Sequence, residues 1–306
     1  MARLLLRRAL LTGRAAVLAT ALAVVLAACG GDGSGVAGGR SVQPGDPGSA
    51  VGGSNPPNAA PSAAPTSTTP PVDTGDPAAV AARLVSLEAA IRDPTTPESA
   101  LSGLGQEQQS LYRVLLAHPD WQRQTLDAAP AELRPMVQAN LTAGADLARL
   151  NPPPKPQPPA WRIVAPAPAA ELLGYYRAAE AAVGVPWQYL AAIHLVETRM
   201  GRIRGVSVAG AQGPMQFLPS TWASYGGGGD INSNADAILA AARLLKARGA
   251  PARMGAALYG YNPSRLYVSG GTAYAGVMAA DERTYHAYHG WQVYYGDRLL
   301  PEGFVG

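Results

Sequence analysis

Trp187-Gln-Tyr-Leu-Ala-Ala-Ile-His-Leu-Val-Glu197, followed by Thr198-Arg-Met-Gly201, decides how the rest of the chain is read. The first eleven residues are apolar nearly all round, which predicts a helix enclosed by other elements. Glu197 ends that helix, and no other acidic residue occurs from 198 to 229. Next comes Ser207-Val-Ala-Gly-Ala-Gln-Gly-Pro-Met-Gln-Phe-Leu-Pro-Ser-Thr-Trp222, a Gly-containing loop with amides and hydroxyls. An isolated carboxylate facing such a loop is what single-acid sugar chemistry requires. Breaking a glycosidic bond needs a proton on the leaving oxygen. A carboxylic acid supplies it near neutral pH only when its surroundings raise its pKa, usually by desolvation. Ala191, Ala192, Ile193, Leu195 and Val196 offer that setting.

Most glycosidases add a second carboxylate. Here the nearest downstream acids are Asp230 and Asp236, in or beside a Gly-rich turn and a helix start. Asp236 is more simply an N-terminal helix residue, in a Ser233-Asn-Ala-Asp236 capping box. With no second carboxylate, a substrate 2-acetamido group must meet the positive charge at the sugar C1, which points to N-acetyl amino sugars. His194 and Glu197 form a His-x-x-Glu spacing that can bind metal. With four histidines in the chain and no third ligand in register, a buried or cleft-edge histidine is the better reading. Tyr259 is read as core.

Working outward, Ala169 to Val183, Pro186 to Arg199, Pro219 to Tyr225, Ala235 to Arg248 and Arg253 to Tyr259 carry helical patterns. The class is mainly α. The aromatic run Tyr285-His-Ala-Tyr-His-Gly-Trp-Gln-Val-Tyr-Tyr295 is expected as a strand over the core, with the lining of a glycan cleft as the alternative.

Residues 1–28 read as an export signal: Arg3, Arg7, Arg8 and Arg14 precede an apolar run from Ala15 to Ala28. That run falls short of the ~20 residues a membrane-spanning helix needs. Leu26-Ala-Ala-Cys29 resembles a bacterial lipobox, which implies cleavage before Cys29, lipid on its thiol and attachment to the membrane. Cys29 is the single cysteine, so no disulfide forms within the chain. Residues 29–76 are Gly, Pro, Ser, Thr and Ala with few large apolar side chains, the composition of a disordered tether. Residues 77–150 predict a small region of three or four helices without chemical signature. Residues 151–160, beginning Asn151-Pro-Pro-Pro-Lys-Pro-Gln-Pro-Pro159, read as a polyproline II linker. Residues 161–306 are long enough for one core. Four of the 24 Lys and Arg lie in the signal, leaving 20 against 21 acids and a net charge of −1. No basic patch argues for nucleic acid.

The motifs resemble those of the bacterial lytic transglycosylases, nearest the membrane-bound B type. Glu197-Thr-Arg-Met-Gly201 is similar to the Glu-Thr-Arg-aromatic-Gly of that type, and Ser207 to Thr221 to its shared loop. Ala257-Leu-Tyr-Gly-Tyr-Asn-Pro263 resembles the block that closes the cleft. The similarity covers roughly residues 185 to 280. It implies a lysozyme-like fold for 161–306 and cleavage of the bond between N-acetylmuramic acid and N-acetylglucosamine in peptidoglycan, giving 1,6-anhydromuramoyl products. It implies Glu197 as acid and base, Ser207 and Gln216 orienting the muramoyl sugar, Met215 as an apolar wall, Tyr261 near the acid, and Asn262 beside it. It implies no cofactor. Pro214 and Pro263-Ser264 depart from the pattern, and Tyr225 to Asn232 has one acid where a calcium loop wants several oxygens, so no metal is expected. Two alternatives stand beside this lyase: a muramidase using Asp230 or Asp236, and a wall-binding lipoprotein without turnover.

Overall fold

The computed structural model describes residues 74–151 and 153–306. The signal of residues 1–28, the lipid site at Cys29 and nearly all of the tether lie outside the described residues. No helix among the described residues is long and apolar enough to cross a membrane.

The described chain is mainly helical. Its N-terminal part holds α1 (Pro77–Arg92), α2 (Glu98–Ala117), α3 (Gln122–Ala128) and α4 (Arg134–Leu150), with a single 3-10 turn at Pro119–Trp121. Asp76 starts α1: its side chain accepts the Ala78 N–H at 2.9 Å and Pro77 occupies the first helical position. Leu84, Leu87 and Ile91 all turn inward at 0–1% exposure, on the stripe their spacing predicts.

The remainder holds α5 (Ala169–Val183), α6 (Trp187–Thr198), α7 (Pro219–Tyr225), α8 (Asn234–Ala247), α9 (Met254–Tyr261), α10 (Arg265–Ala280) and α11 (Arg283–His289). Strands are short. β1 (Arg162–Ile163) pairs antiparallel with β2 (Ile203–Arg204), and β3 (Val293–Tyr295) with β4 (Arg298–Leu300). The α8 start shows half of the expected capping box: the Ser233 hydroxyl accepts the Asp236 N–H at 3.3 Å, but the Asp236 carboxylate turns to the Asp230 N–H and the Ser233 N–H bonds the Asp230 carbonyl instead.

The two parts share one core. Leu84, Leu115 and Leu141 belong to the same buried cluster as Leu190, Leu195, Tyr267 and Trp291. Helix α4 packs along α10, and α2 along α11. The joint is also polar: Gln109 exchanges hydrogen bonds with both backbone groups of Gln292, at 2.7 and 2.9 Å, and Trp291 donates to Gln108 at 3.1 Å. Residues 153–160 therefore run between two parts of one body. There the Lys155 N–H donates to the Tyr295 hydroxyl at 2.8 Å.

The aromatic tail corrects the strand expected for Tyr285 to Tyr295. Its first half is α11 and only Val293–Tyr295 is strand. Tyr285 and Tyr288 are fully buried, with Tyr285 edge-on to Tyr176 and Trp187, so they fill the core and line no cleft. Tyr259 corrects the expectation of a core residue, being 48% exposed.

Helix α6 is the most enclosed element. Leu190 through Thr198 are buried on every face, and α5, α8, α10 and α11 pack around them. Pro186, read from sequence as the first helical residue, is the cap one position earlier.

Candidate active site

Helix α6 ends abruptly at Glu197 and Thr198. Arg199 and Met200 take left-handed backbone, φ 53° and 56°, and their N–H groups return to Leu195 and His194 carbonyls at 3.2 and 3.0 Å. Left-handed backbone costs a non-glycine residue about 1–2 kcal/mol. Among the described residues three non-glycines adopt it: Arg199, Met200 and Gln216. All three belong to the segments the sequence singled out, and strain concentrated in this way is a feature of functional sites.

Thr198 ties the helix end to the loop. Its hydroxyl donates to the Pro214 carbonyl at 2.6 Å and accepts the Gly201 N–H at 3.0 Å. The loop itself is a tight hairpin, with Gln212 and Phe217 exchanging backbone bonds of 2.8 Å each. Gly213 is required there: at φ 74°, a Cβ would lie 1.9 Å from the Ile231 carbonyl oxygen.

Glu197 is 5% exposed. Burial pushes its carboxyl up to about 8, with a hydrogen bond from Tyr267 pulling the other way. The Tyr267 hydroxyl donates to Oε1 at 2.8 Å. With Oε1 accepting that bond, the acid proton belongs on Oε2. Tyr267 is itself fully enclosed, and burial, reinforced by the Glu197 charge, holds its phenol well above the usual range. It therefore acts as a donor at every working pH. Sequence reading missed it. Tyr267 lies six residues past Tyr261, in the first turn of α10, where nothing in its neighbours marks it.

Tyr261 stacks on Tyr267 with nearly parallel rings, centroids 6.3 Å apart, and meets Phe217 edge-on. Its hydroxyl donates to the Met215 carbonyl at 2.7 Å. So Tyr261 approaches the acid through Tyr267, and ties α9 to the loop. Gln216 and Tyr261 line one small cavity of about 30 Å³. The Gln216 amide donates to the Gly213 and Gly205 carbonyls, at 3.0 and 3.4 Å, which leaves Oε1 as its outward-acting group.

Ser207 builds the turn, its oxygen accepting the Ala209 and Ala211 N–H groups at 3.1 and 2.8 Å. Its O–H proton is still available to donate. Met215 has no exposed surface and belongs to the core. Asn262 is 4% exposed and caps α9, its N–H returning to Leu258 at 2.9 Å. Met215, Gln216 and Tyr261 thus come together, and Tyr261 connects to Glu197 through Tyr267. Met215, with no exposed surface, corrects the expectation of an apolar wall open to a sugar, and Ser207 and Asn262 support the loop and helix that carry the rest.

The other acids have different work. Asp230 is exposed and accepts the Asn232 N–H at 2.9 Å, while Asp236 accepts the Asp230 N–H at 3.0 Å. His194 is fully buried, its Nδ1 paired with the Tyr176 hydroxyl at 2.7 Å. Burial, with Arg204 and His289 adding to it, lowers its pKa to about 3, so the ring is neutral at working pH. Among the described residues no cluster of three or more His, Cys, Asp or Glu is placed to hold a metal.

No protein-family model matches this chain, and neither a characterised protein nor a solved structure is matched by it.

Proposed function

We propose that the protein is a lytic transglycosylase acting on peptidoglycan, with residues 161–306 forming a lysozyme-like catalytic unit. The observation that carries this reading is Glu197: a single buried carboxyl kept protonated near neutral pH, with one hydroxyl bond and no carboxylate partner. Glu197 gives its proton to the oxygen linking N-acetylmuramic acid to N-acetylglucosamine, and the C1–O bond breaks. The muramoyl 2-acetamido group meets the positive charge at C1, because Asp230 and Asp236 are engaged with backbone around the α8 start. The Glu197 carboxylate then takes the C6 hydroxyl proton as that oxygen attacks C1, closing the 1,6-anhydro ring. Water is not consumed and the acid is regenerated.

Tyr267 serves both halves. Its bond to Oε1 fixes the carboxyl and strengthens when the group is charged, which limits the cost of the transient anion. Gln216 Oε1 and the Ser207 hydroxyl proton are the polar groups left to orient the sugar. In this reading the chain is exported, held to the membrane by lipid on Cys29, and faces the wall.

The test is product mass. Purified peptidoglycan digested by the wild type should yield 1,6-anhydromuramoyl ends, and Glu197→Gln should yield them about 10³-fold more slowly. Reducing ends alone would make the protein a hydrolase, and digestion undiminished in Glu197→Gln would remove the acid from its role.

A further inference from the structure

Beside the Ser207–Gln216 loop, β1 and β2 place Arg162 directly opposite Arg204. Cross-strand partners share a face, and like charges in that position destabilise a ladder. Neither guanidinium has a hydrogen bond or an ion pair to any described residue. Arg204 is half-buried, and burial together with the charge of Arg162 lowers its pKa. Both arginines line one cavity of about 250 Å³ with Ile203, Gly205, Gly213 and Asn232. Two of those walls are the carbonyl-bearing residues that the Gln216 amide holds. The cavity is therefore built onto the candidate active site; Val206, which follows its wall residue Gly205 in the chain, and Val208, two residues further on, are 62% and 66% exposed.

We propose that Arg162 and Arg204 form a subsite for the carboxylates of the acidic peptides that branch from wall glycan, with Val206 and Val208 covering the peptide's apolar side chains. Arg162 is exposed and open to an incoming ligand, whereas the half-buried Arg204 faces a like charge across the ladder; an anion between them would relieve that repulsion, and planar guanidinium groups suit carboxylates. The position beside Gln216 puts that anion next to the sugar from which the peptide hangs. This subsite rests on the peptidoglycan reading, and its test separates the two.

The full-length chain is assayed on intact glycan strands and on strands stripped of peptide. The wild type should favour the peptide-bearing strands by about tenfold in kcat/KM, the low end of the scale of a hydrogen bond to a charged group. R162Q/R204Q should bring that ratio close to one, and R162K/R204K should keep most of it. In parallel, calorimetry on Glu197→Gln measures an acidic tripeptide against the same tripeptide with its carboxylates amidated. Binding of the acid form alone, lost in the added R162Q/R204Q changes, supports the subsite even if no turnover exists. Equal binding of both forms, or a selectivity ratio untouched by R162Q/R204Q, overturns it.

Discussion

Two buried glutamates share this core and are treated in opposite ways. Glu88, on α1, is 0% exposed and saturated: Arg92 pairs with Oε2, while Gln108, at 2.9 Å, and Tyr112 donate to Oε1. Glu197, on α6, is nearly as deep and receives a single bond, from Tyr267. The difference teaches that depth does not make a catalytic acid. A carboxylate whose oxygens are taken up by a cation and two donors ties α1 to α2 and leaves neither oxygen free for chemistry. One with a lone hydroxyl partner stays protonated and keeps a proton to give.

Exchanging each for glutamine separates the roles most sharply. Glu197→Gln should lower kcat by about 10³-fold, within the range general acid–base catalysis supplies. It should also stabilise the fold. The folded pKa of Glu197, about 8, lies above the ordinary 4.5. The penalty for ionising it in the core is therefore absent below about pH 4.5 and grows until pH 8. The gain in thermal midpoint should follow that window, and a gain independent of pH would contradict it. Glu88→Gln should do the reverse, costing about 3 kcal/mol because Arg92 is left without its carboxylate. Denaturant unfolding measures that loss, while turnover per folded molecule should hold.

Tyr267→Phe sharpens the comparison further. It removes the one bond that favours the Glu197 anion, so kcat should fall about tenfold, the scale of one hydrogen bond to a charged group. The alkaline limb of the pH–rate profile should move up from about 8, because the bond lowers the Glu197 pKa. A downward shift would assign the tyrosine another task. Smallest is Tyr176→Phe, which removes the partner of His194 and should cost about 1 kcal/mol of stability. It should leave the pH–rate profile in place, since His194 is neutral throughout that range.

The spans of α5 and α7 were legible because a periodic apolar stripe and a leading proline mark them. Helix α10 was not read. Gly270, Gly271 and Gly276 lower its apparent propensity, yet Gly270 is where Leu147 of α4 packs so closely that a Cβ would come within 2.8 Å. Tertiary packing overrode propensity there, as it did in α11, where Tyr285 and Tyr288 are buried at helical spacing despite their strand preference. The site followed the same division. Glu197, Gln216 and Tyr261 sit in local motifs and could be picked out. Tyr267 reaches the acid only because α9 stops at Asn262 and α10 sets off from Ser264, a fold-level event. The pairing of Arg162 with Arg204 depends on a ladder across 41 intervening residues, which no local pattern announces.

The direct measurement is a carboxyl titration of Glu197, by carbon-13 NMR on glutamate-labelled protein with Glu197→Gln supplying the assignment. A resonance that stays protonated at pH 7 and titrates near pH 8 is the outcome the buried, singly bonded acid requires. A midpoint at the ordinary 4.5 would mean that the carboxyl is ionised whenever it would be needed as an acid.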